Sequence, residues 1–200
     1  VEFSFRKNYK KYLDHMNKQD IIFNALHGGL GENGIIQSWF DDNGIKYTGS
    51  GSLSSALCMD KAKSKDIAKR NGVLTPKWQL ILNKEEEIEI ELPFVVKPND
   101  QGSTVGLSIV QNDIEIKSAI EKAFQYGEQV IIEKFISGKE LTIPIVGSTV
   151  LPVVEIKPSN EFYDYECKYT PGMSKYVCPA ELDSSIVSLI ESNTNILFEA

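Results

Sequence analysis

Along this chain, short apolar runs alternate with glycine-bearing loops and with stretches of helical period. Residues 20–26 form an apolar run bounded by polar positions, which predicts a buried parallel strand feeding the loop at residues 27–34. Ile35, Ile36, Trp39 and Phe40 then fall at helical spacing, Asn43 and Gly44 supply a stop, and residues 45–48 read as a second short strand. Strand, loop, helix and strand in that order predict part of an open α/β layer. After the turn at residues 49–52, residues 53–70 predict one helix, with Lys61 in its middle and Asn71-Gly72 at its end.

The pattern then changes to strands. Residues 78–82 and 94–97 are strand-like. Between them, Glu87 to Glu91 alternates as an edge strand would, while neighbouring helix formers fit a short solvated helix equally well. Residues 107–110 return as the hairpin partner of 94–97. Ile114, Ala119, Ile120, Ala123 and Phe124 mark a helix with one buried face, closed at Tyr126-Gly127. Residues 129–136 are another strand, turned by Ser137-Gly138 into residues 140–146, which pair as a hairpin with 149–156. Periodicity is lost over 157–179, a stretch rich in Tyr, Pro, Ser and Lys that predicts a functional surface loop. A last helix begins near Asp183.

Composition narrows the function. An apolar fraction of 42% is that of a globular core, and a net charge of −7 without a basic stripe argues against a nucleic-acid surface. Cys58, Cys167 and Cys178 are far apart, an odd number without a C-x-x-C pair, which predicts a reducing compartment. No apolar stretch reaches the about 20 residues of a membrane span, and the first residues lack the layout of a signal peptide, so the expectation is a cytoplasmic protein without membrane contact. A start without Met and an end inside a predicted helix suggest a segment of a longer protein.

Candidate chemistry concentrates at strand ends. Lys97 closes an apolar strand and precedes a loop bearing Gly102, Ser103 and Thr104, whose N–H groups can close over phosphate oxygens; an ordinary exposed hairpin is the alternative. Lys61 on a helix surface reads as a phosphate contact or as a solvated lysine. Glu133 and Lys134 end a strand whose unpaired backbone groups can read an adenine edge, and Glu140 past the turn can accept from ribose hydroxyls. A charged strand terminus is the plain reading of the same residues. His27 is placed to donate to a carboxylate or phosphate or simply to close the strand end, and Glu32 to shape its loop. Aromatic and charged residues alternate from Tyr163 to Tyr169, as a lid presenting Lys168 and Tyr169 to a closed site, or as an edge strand with a polar face. No G-x-G-x-x-G follows the first strand, and no cysteine or histidine has zinc spacing.

Taken in order, the segments 27–34, 47–51, 55–61, 96–98 with 102–106, 132–134, and 162–166 with 168–169 resemble the D-alanine-D-alanine ligase family of the ATP-grasp superfamily. The resemblance covers nearly the whole chain. It implies an α/β fold, α+β in its ATP-grasp part: a partial pre-ATP-grasp layer at 1–57, a central ATP-grasp subdomain at 58–136 and a partial C-terminal subdomain at 137–200 with a lid loop at 158–179. It also implies ATP-dependent joining of two D-alanines through a D-alanyl phosphate, for peptidoglycan cell-wall synthesis. By motif position, Lys61 and Lys97 would contact ATP phosphates, Glu133, Lys134 and Ile136 would border adenine, and Glu140 the ribose. Ser103 and Tyr169 would join in closing the lid, Lys168 would approach the γ-phosphate, and His27 would lie near the substrates. A tyrosine at position 169 goes with an amine acceptor, where D-lactate-using relatives carry phenylalanine. Ligands for Mg²⁺ or Mn²⁺ are expected beyond Ala200, so the 200 residues alone are expected to be inactive; a homodimer is the expected assembly. The alternatives are another ATP-grasp carboxylate-amine ligase or a non-catalytic ATP-binding paralogue.

Overall fold

In the computed structural model, which describes residues 21–160, 163 and 165–200, the chain forms two units, Val1–Met59 and Asp60–Ala200. Residue 20, the start of the chain and positions 161, 162 and 164 of the expected lid lie outside the described residues. In the first unit, β1 (Ile21–Ile22) and β2 (Lys46–Tyr47) pair in parallel, with a 3-10 turn at Gly29–Gly31 and α1 (Ile35–Asp42) between them. The helical spacing does what it predicts: Ile36, Trp39 and Phe40 turn inward and pack with Ile45. The strand expected over 20–26 is much shorter, and Ile21 and Phe23 are largely exposed. Asn24 explains the early exit, because its amide donates to the Gly31 carbonyl and its carbonyl accepts from Leu26 N–H, replacing a strand ladder.

The single helix expected over 53–70 is two helices, α2 (Ser52–Met59) and α3 (Lys61–Arg70). Asp60 breaks it with extended backbone, φ −80° and ψ 102°, and its carboxylate accepts from the Lys63 N–H. Lys61 therefore begins a helix instead of lying inside one.

The second unit contains a four-stranded antiparallel sheet of β3 (Trp78–Ile81), β4 (Phe94–Pro98), β5 (Ser108–Val110) and, after α4 (Asp113–Ala123), β6 (Val130–Lys134), in the order β3-β6-β4-β5. Phe94 and Val96 of β4 join Ile81, Val110, Ile120, Ala123 and Ile132 in the main core. Strand alternation then sends Val95 and Lys97 to the opposite face, and the register sets Glu133 beside Val95 on that face. Ile114 is not on the buried face of α4, being 91% exposed; Ile116 packs against the core instead. Residues 85–91 are neither helix nor strand. The Gln79 side chain donates to the Glu87 carbonyl and accepts from Glu89 N–H, imitating a strand pairing with one side chain.

Beyond β6 come β7 (Glu140–Thr142), β8 (Ile145–Val146), β9 (Thr149–Val150) and β10 (Val154–Pro158). The two long strands expected here are each split at Pro144 and Pro152, which have no N–H to donate. The irregular segment of the sequence reading carries α5 (Tyr165–Tyr169) and β11 (Ser174–Val177), the latter antiparallel to β10 at a sheet edge. α6 (Ser184–Glu199) follows Asp183 as expected. Among the described residues, no helix is long and apolar enough to cross a membrane.

Candidate functional site

The face of the sheet that carries Lys97 and Glu133 holds a cluster of charged residues. Lys97 on β4 is bonded to Glu133 Oε1, while Lys65 of α3 lies 2.7 Å from Glu133 Oε2. Burial alone would raise the Glu133 pKa. The Lys97 charge, the hydrogen bonds from both lysines and the Lys65 charge outweigh it, holding the carboxyl below its ordinary range.

Lys61 opens α3 beside the same cluster. Its backbone N–H donates to the Asn99 carbonyl, and its ammonium donates to the carbonyls of Asn99 at 3.2 Å and Gln101 at 2.5 Å. Burial, then repulsion from Lys97, bring its pKa down to about 8, against the opposing charges of Asp100, Glu133 and Asp60. Asn99 organises the corner. Only 2% exposed, its carbonyl oxygen accepts from Ala62 N–H while its amide donates to Asp60 and Gln129.

The loop after β4 is shaped by two non-glycine residues in left-handed backbone, Ser103 at φ 52° and Thr104 at φ 61°. Gly106 ends it at φ 71°, where a Cβ would sit 2.8 Å from Pro98 Cγ and 2.9 Å from Tyr126 Cδ2. Ser103 Oγ and Tyr169 Oη are 2.7 Å apart, so the loop and α5 are hydrogen-bonded to each other. The Tyr169 ring also lies 4.7 Å from that of Tyr165.

A cavity of about 260 Å³ opens beside the cluster, lined among others by Lys97, Thr104, Glu133, Lys134, Ile136, Glu140 and Tyr163. Lys134 contributes to its wall, but its ammonium is tied to the Leu92 and Glu91 carbonyls, holding the turn before β4. Ile136 is 65% exposed and presents an apolar edge. Lys168 stands 5.1 Å from the centre of the Tyr163 ring; burial lowers its pKa, with Glu140 opposing. The Tyr163 hydroxyl pairs with Tyr176 at 3.2 Å, which with burial pushes its pKa up to about 12. A larger cavity of about 790 Å³, between residues 84–88 and α4, holds none of the expected site residues.

The structure thus brings Lys61, Lys97 and Glu133 into one cluster, sets Lys134, Ile136 and Glu140 around the adjoining cavity, and joins Ser103 to Tyr169. His27 belongs to the first unit, exposed and 3.8 Å from Glu32. Lys65, Thr75, Asn99 and Gln129 escaped the sequence reading. Lys65 had a signal, since it follows Lys61 by four positions and must share its helix face; Asn99 carried none. Among the described residues, no group of three or more His, Cys, Asp or Glu is placed to hold a metal ion. The half-buried Glu133 is already committed to two lysines, and the buried Glu155 to Lys139 and Lys157. A divalent cation does not fit this set among the described residues.

A family model described as D-ala D-ala ligase C-terminus matches residues 65–200. The D-alanine--D-alanine ligase of Syntrophotalea carbinolica is 37% identical over 183 residues, covering 90% of this chain and 60% of the relative. That of Geotalea uraniireducens is 40% identical over 171 residues, covering 84% and 55%. The chain spans little more than half the length of these relatives. Among solved structures, D-alanine--D-alanine ligase from Bacillus anthracis complexed with ATP is 34% identical with a TM-score of 0.79, over 96% of this chain and 64% of that one. VanG D-Ala:D-Ser ligase from Enterococcus faecalis is 34% identical with a TM-score of 0.77, over 90% and 55%. The mixed α+β sheets with their intervening loop are accordingly an ATP-grasp fold, and this chain belongs to the D-ala D-ala ligase family.

Proposed function

We propose that the protein carrying this chain joins two D-alanines into D-alanyl-D-alanine at the expense of ATP, in the cytoplasm, for peptidoglycan synthesis. The observation that carries the reading is the 2.7 Å hydrogen bond between Ser103 and Tyr169. It fastens the glycine-bearing loop to α5, and Thr104 of that loop and Tyr163, which precedes α5 in sequence, line the cavity together with Lys97, Glu133, Lys134, Ile136 and Glu140. A phosphate grip and a lid in contact suit a reaction whose intermediate must be kept from water.

In this reading, ATP lies with its adenine at Glu133, Lys134 and Ile136, its ribose at Glu140 and its phosphates at Lys61 and Lys97. A D-alanine carboxylate oxygen attacks the γ-phosphorus and ADP leaves, giving D-alanyl phosphate. The amine of the second D-alanine attacks the acyl carbon, and the tetrahedral adduct collapses with loss of phosphate. Lys61 and Lys97 neutralise charge, Lys168 approaches the transferring group from the lid, and Ser103 and Tyr169 keep the lid shut. His27 acts on the substrate side. The proposal includes a homodimer, subdomains at 58–136 and 137–200 within the second unit, and a Mg²⁺ or Mn²⁺ requirement met by ligands other than the described residues.

The same 34% identity to a D-Ala:D-Ser ligase as to a D-alanine--D-alanine ligase makes the acceptor the point to test. ADP release by the full reading frame containing this chain is measured with ATP and D-alanine, L-alanine, D-serine or D-lactate. Stimulation by D-alanine alone is expected. A requirement for D-serine or D-lactate overturns the acceptor assignment, and nucleotide binding without turnover overturns the ligase.

A further inference from the structure

Lys65 has no ligand role in the reading above, yet its side chain is only 13% exposed, about as enclosed as Glu133 at 12%. Its ammonium lies 2.7 Å from Glu133 Oε2 and donates to Thr75 Oγ1 at 2.5 Å. Lys97 takes the other carboxylate oxygen. Each oxygen of one enclosed carboxylate therefore has its own lysine, from a different element of the fold. Lys61, one turn earlier on α3, is occupied with the carbonyls of Asn99 and Gln101 and does not bond to Glu133.

A lysine that grips phosphate oxygens has to loosen its bond to a carboxylate. In an enclosed position, a carboxylate stripped of its last cation is heavily penalised, and that penalty would hold Lys97 in place. We propose that Lys65 is a positioning residue, the standing counter-ion of Glu133 that lets Lys97 exchange Glu133 for phosphate oxygens. The inference rests on the proposed role of Lys97 as a phosphate ligand. The hydrogen bond to the Thr75 hydroxyl gives Lys65 a second anchor besides Glu133, so that Lys65 stays when Lys97 moves.

The consequence depends on the phosphates. In Lys65→Met, Glu133 keeps Lys97 as its sole lysine partner, and affinity for a triphosphate falls about tenfold while affinity for adenosine changes less than about twofold. Lys65→Arg keeps the charge and recovers most of the loss. On a Glu133→Gln background there is no carboxylate to neutralise, so Lys65→Met has no further effect on triphosphate affinity.

Calorimetric titration of the full-length variants with a non-hydrolysable ATP analogue and with adenosine tests this, alongside thermal unfolding. A triphosphate-selective loss that disappears on the Glu133→Gln background supports the assignment. Equal losses for both ligands, or losses that add with Glu133→Gln, overturn it in favour of a purely structural lysine. If Lys65→Met does not fold, Thr75→Val, which removes only the hydroxyl anchoring Lys65, carries the same test with a smaller loss. Binding without D-alanine-stimulated turnover in the wild type sinks the ligase reading and leaves the titration decisive; a wild type that binds neither ligand overturns both.

Discussion

Lys61 offers a quantitative test through pH. Burial and the Lys97 charge bring its pKa to about 8 from 10.5. A phosphate oxygen arriving at its ammonium adds negative charge and favours the protonated form, so binding takes up a proton once the free protein has lost it. Lys61 is about nine-tenths protonated at about pH 7 and about one-tenth at about pH 9, so ATP affinity should weaken about tenfold over that interval, or about 1.4 kcal/mol. The assay is calorimetric titration with a non-hydrolysable ATP analogue across this range, in two buffers of different ionisation enthalpy, for wild type and Lys61→Met. Wild type should take up close to one proton more than the variant at the alkaline end. Stability moves in the opposite direction. A lysine whose folded pKa is depressed leaves the unfolded chain holding the extra proton between about 8 and 10.5, so the fold gains stability as pH rises through that window. Affinity that is flat with pH, or a slope unchanged in Lys61→Met, would refute the reasoning.

Glu133 should show the acid counterpart. Its lowered pKa contributes stability that is present above about pH 4.5 and lost as pH falls, so Glu133→Gln should flatten the decline in Tm from about pH 5 to about pH 3. Tyr169→Phe keeps the ring against Tyr165 but removes the bond to Ser103; D-alanine-stimulated ADP release should drop at least about tenfold, with D-lactate gaining relative to D-alanine and stability changing by under about 1 kcal/mol in urea unfolding. Phe94→Ala, at a position 1% exposed in the main core, should cost about 3–5 kcal/mol in the same measurement. Thr104→Gly removes a left-handed β-branched residue and should add about 1 kcal/mol of stability while weakening nucleotide binding, as a comparison of unfolding with titration would reveal.

Local pattern was a good guide where one face of an element meets one core. Ile36, Trp39 and Phe40 in α1, and the alternation Phe94, Val96 against Val95, Lys97 in β4, were legible for that reason. It misled where a side chain substitutes for backbone pairing. Asp60 capping α3, Asn24 ending β1 and Gln79 bridging to residues 87–89 each leave no periodic trace. Edge strand β11 was missed because an edge paired on one side needs no apolar alternation. At the candidate site, Lys97, Glu133 and Lys134 were legible from their places at strand ends. The partners that orient them did not, because Asn99 and Gln129 meet only through the antiparallel sheet.

The division of the chain between Met59 and Asp60 falls one residue ahead of Lys61. Every partner described for Lys61, Lys65 and Asn99 lies on the C-terminal side of that peptide bond. A recombination event there would exchange the preceding segment and leave those contacts whole. The helix break at Asp60 is in that sense a natural seam, along which the preceding segment can be exchanged while the charge cluster and Tyr169 are inherited as one piece.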